Sequence, residues 1–202
     1  MSPRLAALIA IVGAGLGMLA IVALTTTGLN RPLPTAETVA KVQIGGPFTL
    51  IDHTGRQVTD SDFKGKFMLI FFGYTYCPDI CPTTLTEISD AVNMLGDQQE
   101  DVVPVFVTVD PERDTTEHLG EYVTFFHPRL VGLTGSLEQI ADVARAYKIY
   151  FRKGEIPDDD PGGYLVDHSS IAYLIGRDGD FVTHFSHGTT PEDMARRIRD
   201  HL

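Results

Sequence analysis

Residues 67–72 are apolar without a break: Phe67, Met68, Leu69, Ile70, Phe71 and Phe72. A strand that is apolar at every position, rather than at alternate ones, is buried on both faces. Such strands belong to the middle of an α/β sheet. Shortly after this run the chain spends its only two cysteines, Cys77 and Cys81, in the stretch Gly73-Tyr74-Thr75-Tyr76-Cys77-Pro78-Asp79-Ile80-Cys81-Pro82. Open α/β folds place their chemistry at the carboxyl ends of central strands. Two thiols that close can form a disulfide or bind one soft metal ion together.

The rest of the chain alternates strand and helix patterns from residue 44 onward, as an α/β sheet requires. Residues 48–52 and 56–58 flank His53-Thr54-Gly55, a hairpin turn. Residues 84–95 read as a helix, with Leu85, Ile88, Val92 and Leu95 on one face. Residues 102–109 form a second buried strand, ending at Asp110-Pro111. Asp114 and Glu117 open a further helix, closed by His127-Pro128. Ser136 and Gln139 open another, reaching about Tyr147. Residues 153–163 are a polar, acidic loop. Residues 164–166, 171–175 and 180–185 read as strands, the last two joined by Asp178-Gly179. Thr190 and Pro191 begin the final helix, with Met194 and Ile198 on its buried face. A cysteine pair after a central strand, within this order, predicts a thioredoxin-like α/β fold carrying insertions.

The amino-terminal end is of another kind. Residues 5–24 carry no charge, and as a helix they would span ~30 Å, the thickness of a bilayer core. Arg4 ahead of them favours a cytoplasmic amino terminus. A cleaved signal peptide is the alternative, but the apolar stretch is long for one and Ala23-Leu24-Thr25 is only a fair cleavage site. No cysteine follows the stretch, which excludes lipidation there. The expectation is a cytoplasmic tip (1–4), an uncleaved single transmembrane anchor (5–24), a linker with Pro32 and Pro34 (25–43) and one exported domain (44–202). A mitochondrial transit peptide would be richer in Arg and Ser, so a bacterial inner membrane with the domain on the periplasmic side fits better. In an oxidising compartment a close thiol pair becomes a disulfide unless reduced or occupied by metal.

The net charge is −11, and Arg4 is the one charge in residues 1–30, so −12 falls on residues 31–202. A surface that acidic argues against nucleic acid. The apolar content of 43% and aromatic content of 9% are those of a globular domain, not a disordered one.

Three residues separate the cysteines, one more than in thioredoxin-type redox motifs. On a helix, positions four apart share a face. Pro82 suits a first helical position, while Thr84 with Glu87 suggests a slightly later start. Under either reading, helix amides lie near the thiols and favour thiolate. Two thiolates alone suit linear Cu(I), and a third ligand would be imidazole or thioether. Of the seven histidines, His53 falls in a turn, His118 in mid-helix, His127 before a proline and His201 at the end. His168 instead lies in Asp167-His168-Ser169-Ser170, directly before the strand 171–175. Thioredoxins put a cis-proline in that loop, facing their cysteines. This chain has no proline there and offers His168.

These segments resemble the Sco/SenC family of copper-binding cytochrome oxidase assembly proteins. The resemblance is carried by the cysteine motif quoted above, by Val109-Asp110-Pro111-Glu112-Arg113-Asp114-Thr115, by Asp167-His168-Ser169-Ser170 and by Tyr173-Leu174. It covers about residue 44 to the carboxyl terminus. It implies copper, as Cu(I) or Cu(II), bound by Cys77, Cys81 and His168. It also implies a role at the CuA centre of cytochrome c oxidase subunit II, through copper delivery or through reduction of that site's cysteines by Cys77 and Cys81. Other copper chaperones or thiol reductases are further partners. Asp110 matches a family acid near the site; by its position it equally caps the loop after its strand. Residues 155–160 form an acidic stretch that could meet a partner or simply be solvated. A peroxiredoxin-like peroxidase ranks last, because no Pro-x-x-x-Thr-x-x-Cys loop surrounds Cys77.

Overall fold

A computed structural model describes residues 43–155 and 163–202. The anchor (5–24), most of the linker and most of the acidic stretch lie outside the described residues. Among the described residues no helix is long and apolar enough to cross a membrane.

The apolar run becomes β3 (Phe67–Gly73), buried at all seven positions. Each fully buried large apolar side chain contributes ~1.5–3 kcal/mol, so this strand anchors the core. β3 pairs in parallel with β4 (Val102–Thr108), from Phe67↔Val102 to Gly73↔Thr108. Pro104 has no N–H to give to a ladder. It lies outside the pairing of β4 with β5 (Val131–Thr134), which begins at Val105.

The hairpin expected around His53-Thr54-Gly55 is β1 (Thr49–Asp52) and β2 (Gln57–Thr59). Gly55 takes the positive φ of 85° that the turn needs. The main sheet has seven strands in the order β2-β1-β5-β4-β3-β8-β9, where β8 is Ile171–Ile175 and β9 is Phe181–Ser186. β8 runs antiparallel to β3, with Phe71 opposite Ala172. The start of β8 therefore lies beside the end of β3, and segments distant in sequence meet there.

Among the described residues four α-helices accompany the sheets: α1 (Ile80–Met94), α2 (Thr116–Val123), α3 (Leu137–Ala146) and α4 (Pro191–Arg199). Ser136 and Gln139 cap α3 reciprocally, and Thr190 caps α4, both as expected.

Three expectations need correction. First, α1 begins at Ile80, earlier than either start read from the sequence. Pro82 falls in the first turn, where a missing N–H leaves no helical bond unmade. Second, α2 opens on Thr115, whose hydroxyl accepts the His118 N–H at 3.2 Å; Asp114 turns inward instead. It also ends at Val123, short of His127. Third, the stretch read as a loop from residue 153 is preceded by a strand, β6 (Phe151–Lys153). It pairs with β7 (Val166–His168) in a separate two-stranded sheet, with Phe151 opposite His168. His168 thus ends a strand rather than sitting in an open loop.

Candidate metal centre

Gly73 ends β3, and the chain turns through Tyr74, Thr75 and Tyr76 to Cys77. Only Cys81 is helical; Cys77 lies in the turn before α1. The Cys81 N–H points at the Cys77 sulfur, 3.4 Å away. No side chain caps α1 at Asp79, so the Cys77 sulfur meets one of the amides that a helix start leaves without a partner. Cys81 is fully buried, at 0% exposure, while Cys77 is half-buried, and both are free thiols.

These surroundings separate the two thiols electrostatically. The Cys81 thiol beside it, with the backbone N–H groups of Cys81 and Asp79, lowers the Cys77 pKa to about 4. The Cys81 pKa is pushed up, by the shared proton with Cys77 and by burial. One proton held between two sulfurs leaves the outer one as thiolate.

β7 and the start of β8 bring His168 to the same place. Its Nε2 is 3.3 Å from the Cys81 sulfur. Its Nδ1 is 3.2 Å from the Ser169 carbonyl oxygen, which can only accept. A proton on Nδ1 satisfies that bond and leaves the Nε2 lone pair facing the sulfurs, the tautomer a metal ligand needs. The ring is held edge-on to Tyr74, centroids 5.8 Å apart, and to Phe71 at 6.3 Å.

The donor atoms of Cys77, Cys81 and His168 all lie within 4.8 Å of one another. Among the described residues this is the one group of three or more such side chains able to hold a metal ion. Two thiolates and an imidazole are soft to intermediate donors, suited to copper or zinc and poorly suited to magnesium or calcium. No carboxylate among the described residues belongs to this group.

Asp110 stands outside that group. Its carboxylate accepts from Arg113 Nε at 2.5 Å and from the Tyr164 hydroxyl at 2.8 Å. Sequence reasoning missed three other residues. Asp114 accepts from the Thr75 N–H and hydroxyl, in the cysteine loop itself. Tyr164 reads in the sequence only as part of a strand. Gly73 packs directly against Cys81. An acid at a helix start is an ordinary capping pattern, so nothing in the sequence signals that Asp114 is buried.

Exposed apolar side chains stand around the cluster. Tyr76, Ile80, Tyr150 and Leu165 are 49%, 36%, 59% and 54% exposed. Ile80, Tyr150 and Leu165 line one cleft with Cys77 and His168.

A mixed α/β sheet carrying two thiols and an imidazole at the end of its central strand defines a thiol–imidazole metal-site protein. The comparisons then place it. The family model described as SCO1/SenC matches residues 36–202, and the chain belongs to that family. Protein sco1 of Schizosaccharomyces pombe is 47% identical over 162 residues, which is 80% of this chain and 62% of that protein. The chain thus spans about three fifths of that relative's length. The structure of Bradyrhizobium japonicum ScoI with copper bound is 45% identical, with a TM-score of 0.73, over 79% of this chain and 99% of that one. BsSco, a member of the Sco family of cytochrome c oxidase assembly proteins with an identified disulfide switch, is 26% identical. Its TM-score is 0.61, over 80% of this chain and 93% of its own.

Proposed function

We propose that this protein is a copper metallochaperone that holds Cu(I) or Cu(II) through Cys77, Cys81 and His168 for assembly of the CuA centre of cytochrome c oxidase subunit II. The observation that carries this reading is the convergence of the three donor atoms within 4.8 Å. The copper-bound ScoI relative supports it.

Copper here is cargo. Cys77 is the half-exposed donor, so a partner's thiolate approaches from its side. Cys81 and His168 keep hold while Cys77 is displaced, and release follows one donor at a time. The apolar rim of Tyr76, Ile80, Tyr150 and Leu165 suits a partner that must exclude water during the exchange. The fold is read as thioredoxin-like, with His168 at the position that faces the cysteines. Residues 5–24 are read as a membrane anchor and the domain as extracytoplasmic, on the periplasmic side of a bacterial inner membrane.

A second reading is a dedicated thiol–disulfide reductase that keeps the CuA-site cysteines reduced. The asymmetry of the thiols favours it: Cys77 is accessible with a lowered pKa, and Cys81 is buried behind it. In that chemistry the Cys77 thiolate attacks a target disulfide, and Cys81 then displaces the target thiolate, leaving a Cys77–Cys81 disulfide. The disulfide switch of BsSco points the same way.

Replacing His168 with Ala separates the two. The chaperone reading expects copper affinity to fall at least ~10-fold with thiol–disulfide exchange intact. Unchanged copper affinity with collapsed exchange overturns it in favour of the reductase.

A further inference from the structure

One short turn touches both halves of the metal centre. The turn from Asp110 to Asp114 is closed on itself, the Asp110 carbonyl accepting from the N–H groups of Arg113 at 3.2 Å and Asp114 at 3.0 Å. From one end, Asp114 reaches the cysteine loop. Its Oδ2 accepts from the Thr75 N–H at 3.0 Å and the Thr108 hydroxyl at 2.6 Å, and its Oδ1 from the Thr75 hydroxyl at 2.6 Å. Thr75 is the second residue before Cys77. From the other end, Asp110 and Arg113 reach the strand pair that carries His168. Tyr164 donates its hydroxyl to Asp110, and Arg113 Nη1 donates to the Tyr164 carbonyl at 3.0 Å. The Arg113 guanidinium also lies 3.6 Å from the centre of the Tyr164 ring. Tyr164 stands two residues before β7, whose last residue is His168.

Both carboxylates are buried, Asp110 at 4% and Asp114 at 0% exposure. Burying two carboxylates within one turn is costly unless each is fully bonded. Among the described residues, the bonds of the two side chains go to the turn itself, to Thr108 or to an arm of the metal centre. Neither carboxylate joins the three donors.

We propose that the Asp110–Asp114 turn is the positioning element of the site. Asp114 fixes the cysteine loop, and Asp110 with Arg113 and Tyr164 fixes the arm of His168, so the turn sets how far the imidazole stands from the two sulfurs. This rests on the reading of Cys77, Cys81 and His168 as copper donors. The same rigid spacing would keep the three donors aligned as copper arrives and leaves, with no need to reorder the histidine arm each time.

The test uses the full chain and the variant Tyr164→Phe, which keeps the ring and removes the hydroxyl bond to Asp110. Copper affinity is measured in the presence and in the absence of His168, the latter as His168→Ala. Partners of this outer kind cost ~10–100-fold in metal affinity when removed. Tyr164→Phe is expected to weaken copper binding about 10-fold when His168 is present and not at all in the His168→Ala background. In the metal-free protein its His168 ring resonances are expected to shift and broaden, while those of His53 stay in place. Asp114→Asn, where it folds, should weaken copper binding in both backgrounds, because it acts through the cysteines. An equal loss from Tyr164→Phe with and without His168, or no loss at all, overturns the proposal. If His168→Ala alone weakens binding and Tyr164→Phe does not, the donor reading survives and the positioning role falls. If His168→Ala leaves affinity unchanged, the donor reading falls and takes the positioning role with it.

Discussion

Gly73 lies directly against Cys81: a Cβ built on Gly73 would stand 2.7 Å from the Cys81 sulfur and 2.9 Å from Cε2 of Phe106. Both neighbours are fully buried and have no room to move. Gly73→Ala is expected to cost ~1–3 kcal/mol through overpacking and to displace the sulfur, lowering copper affinity as well. Gly132→Ala is the control, since its Cβ would stand 2.7 Å from Cγ of Leu119, on α2. It should lower the melting temperature comparably and leave copper affinity unchanged. Thermal unfolding beside a copper titration reads both. Equal copper loss in the two variants would show that the effect is global.

The Cys77 thiol should react as a thiolate across the whole neutral range. With its pKa lowered to about 4, alkylation by iodoacetamide is expected to stay nearly constant from pH 8 down to about 5 and then to fall. Cys81 should stay unmodified in the folded protein. The sign for stability follows from linkage. The folded pKa lies below the unfolded 9.0, so this contribution is fully present above pH 9 and is lost as pH falls toward 4. Above pH 9 the raised pKa of buried Cys81 acts in the opposite sense. A Cys77 alkylation profile with an ordinary midpoint near 8.5 would remove the thiolate assignment.

Acid should also act through His127. This residue is buried at 3% exposure, and its Nδ1 accepts the Arg129 N–H at 3.1 Å. Burial, then the nearby Arg129 charge, lowers its pKa below 6.5. Stability from this group is therefore present above pH 6.5 and lost as pH falls through the lower folded value. Urea midpoints measured from pH 7.5 to 5 are expected to drop less steeply in His127→Gln than in the parent. A slope that does not change would assign the acid sensitivity elsewhere.

The apolar rim gives a kinetic expectation. Leu165→Glu and Tyr150→Glu place a charge on exposed ground, so the fold and the copper affinity should hold. Copper transfer to a purified CuA domain should slow at least several-fold, because the charge must be desolvated as the partner seats. Transfer followed by the growth of the partner's absorption decides it, and an unchanged rate would take this face out of the encounter.

Much of this is legible in the chain itself. The central strand could be read because β3 is apolar at every position, and the caps of α3 and α4 because Ser136, Gln139 and Thr190 act within a few residues of themselves. The convergence of Cys77, Cys81 and His168 was legible because donor chemistry is confined to few residue types. What stayed hidden depends on contacts far apart in sequence. Asp114 looks like a helix cap until Thr75, |i−j| = 39, arrives to bond it. The early start of α1 goes with the Cys77 sulfur meeting the Cys81 amide, a contact that no propensity encodes. β6 is only three residues long and is a strand only because β7 returns beside it.

His168 follows Cys81 by 87 residues and reaches it only when β8 has laid itself against β3. Until then the polypeptide owns a two-thiol segment and no third donor. On the proposed copper reading, capture with three ligands is therefore a certificate of completed folding, issued only after most of the domain is in place.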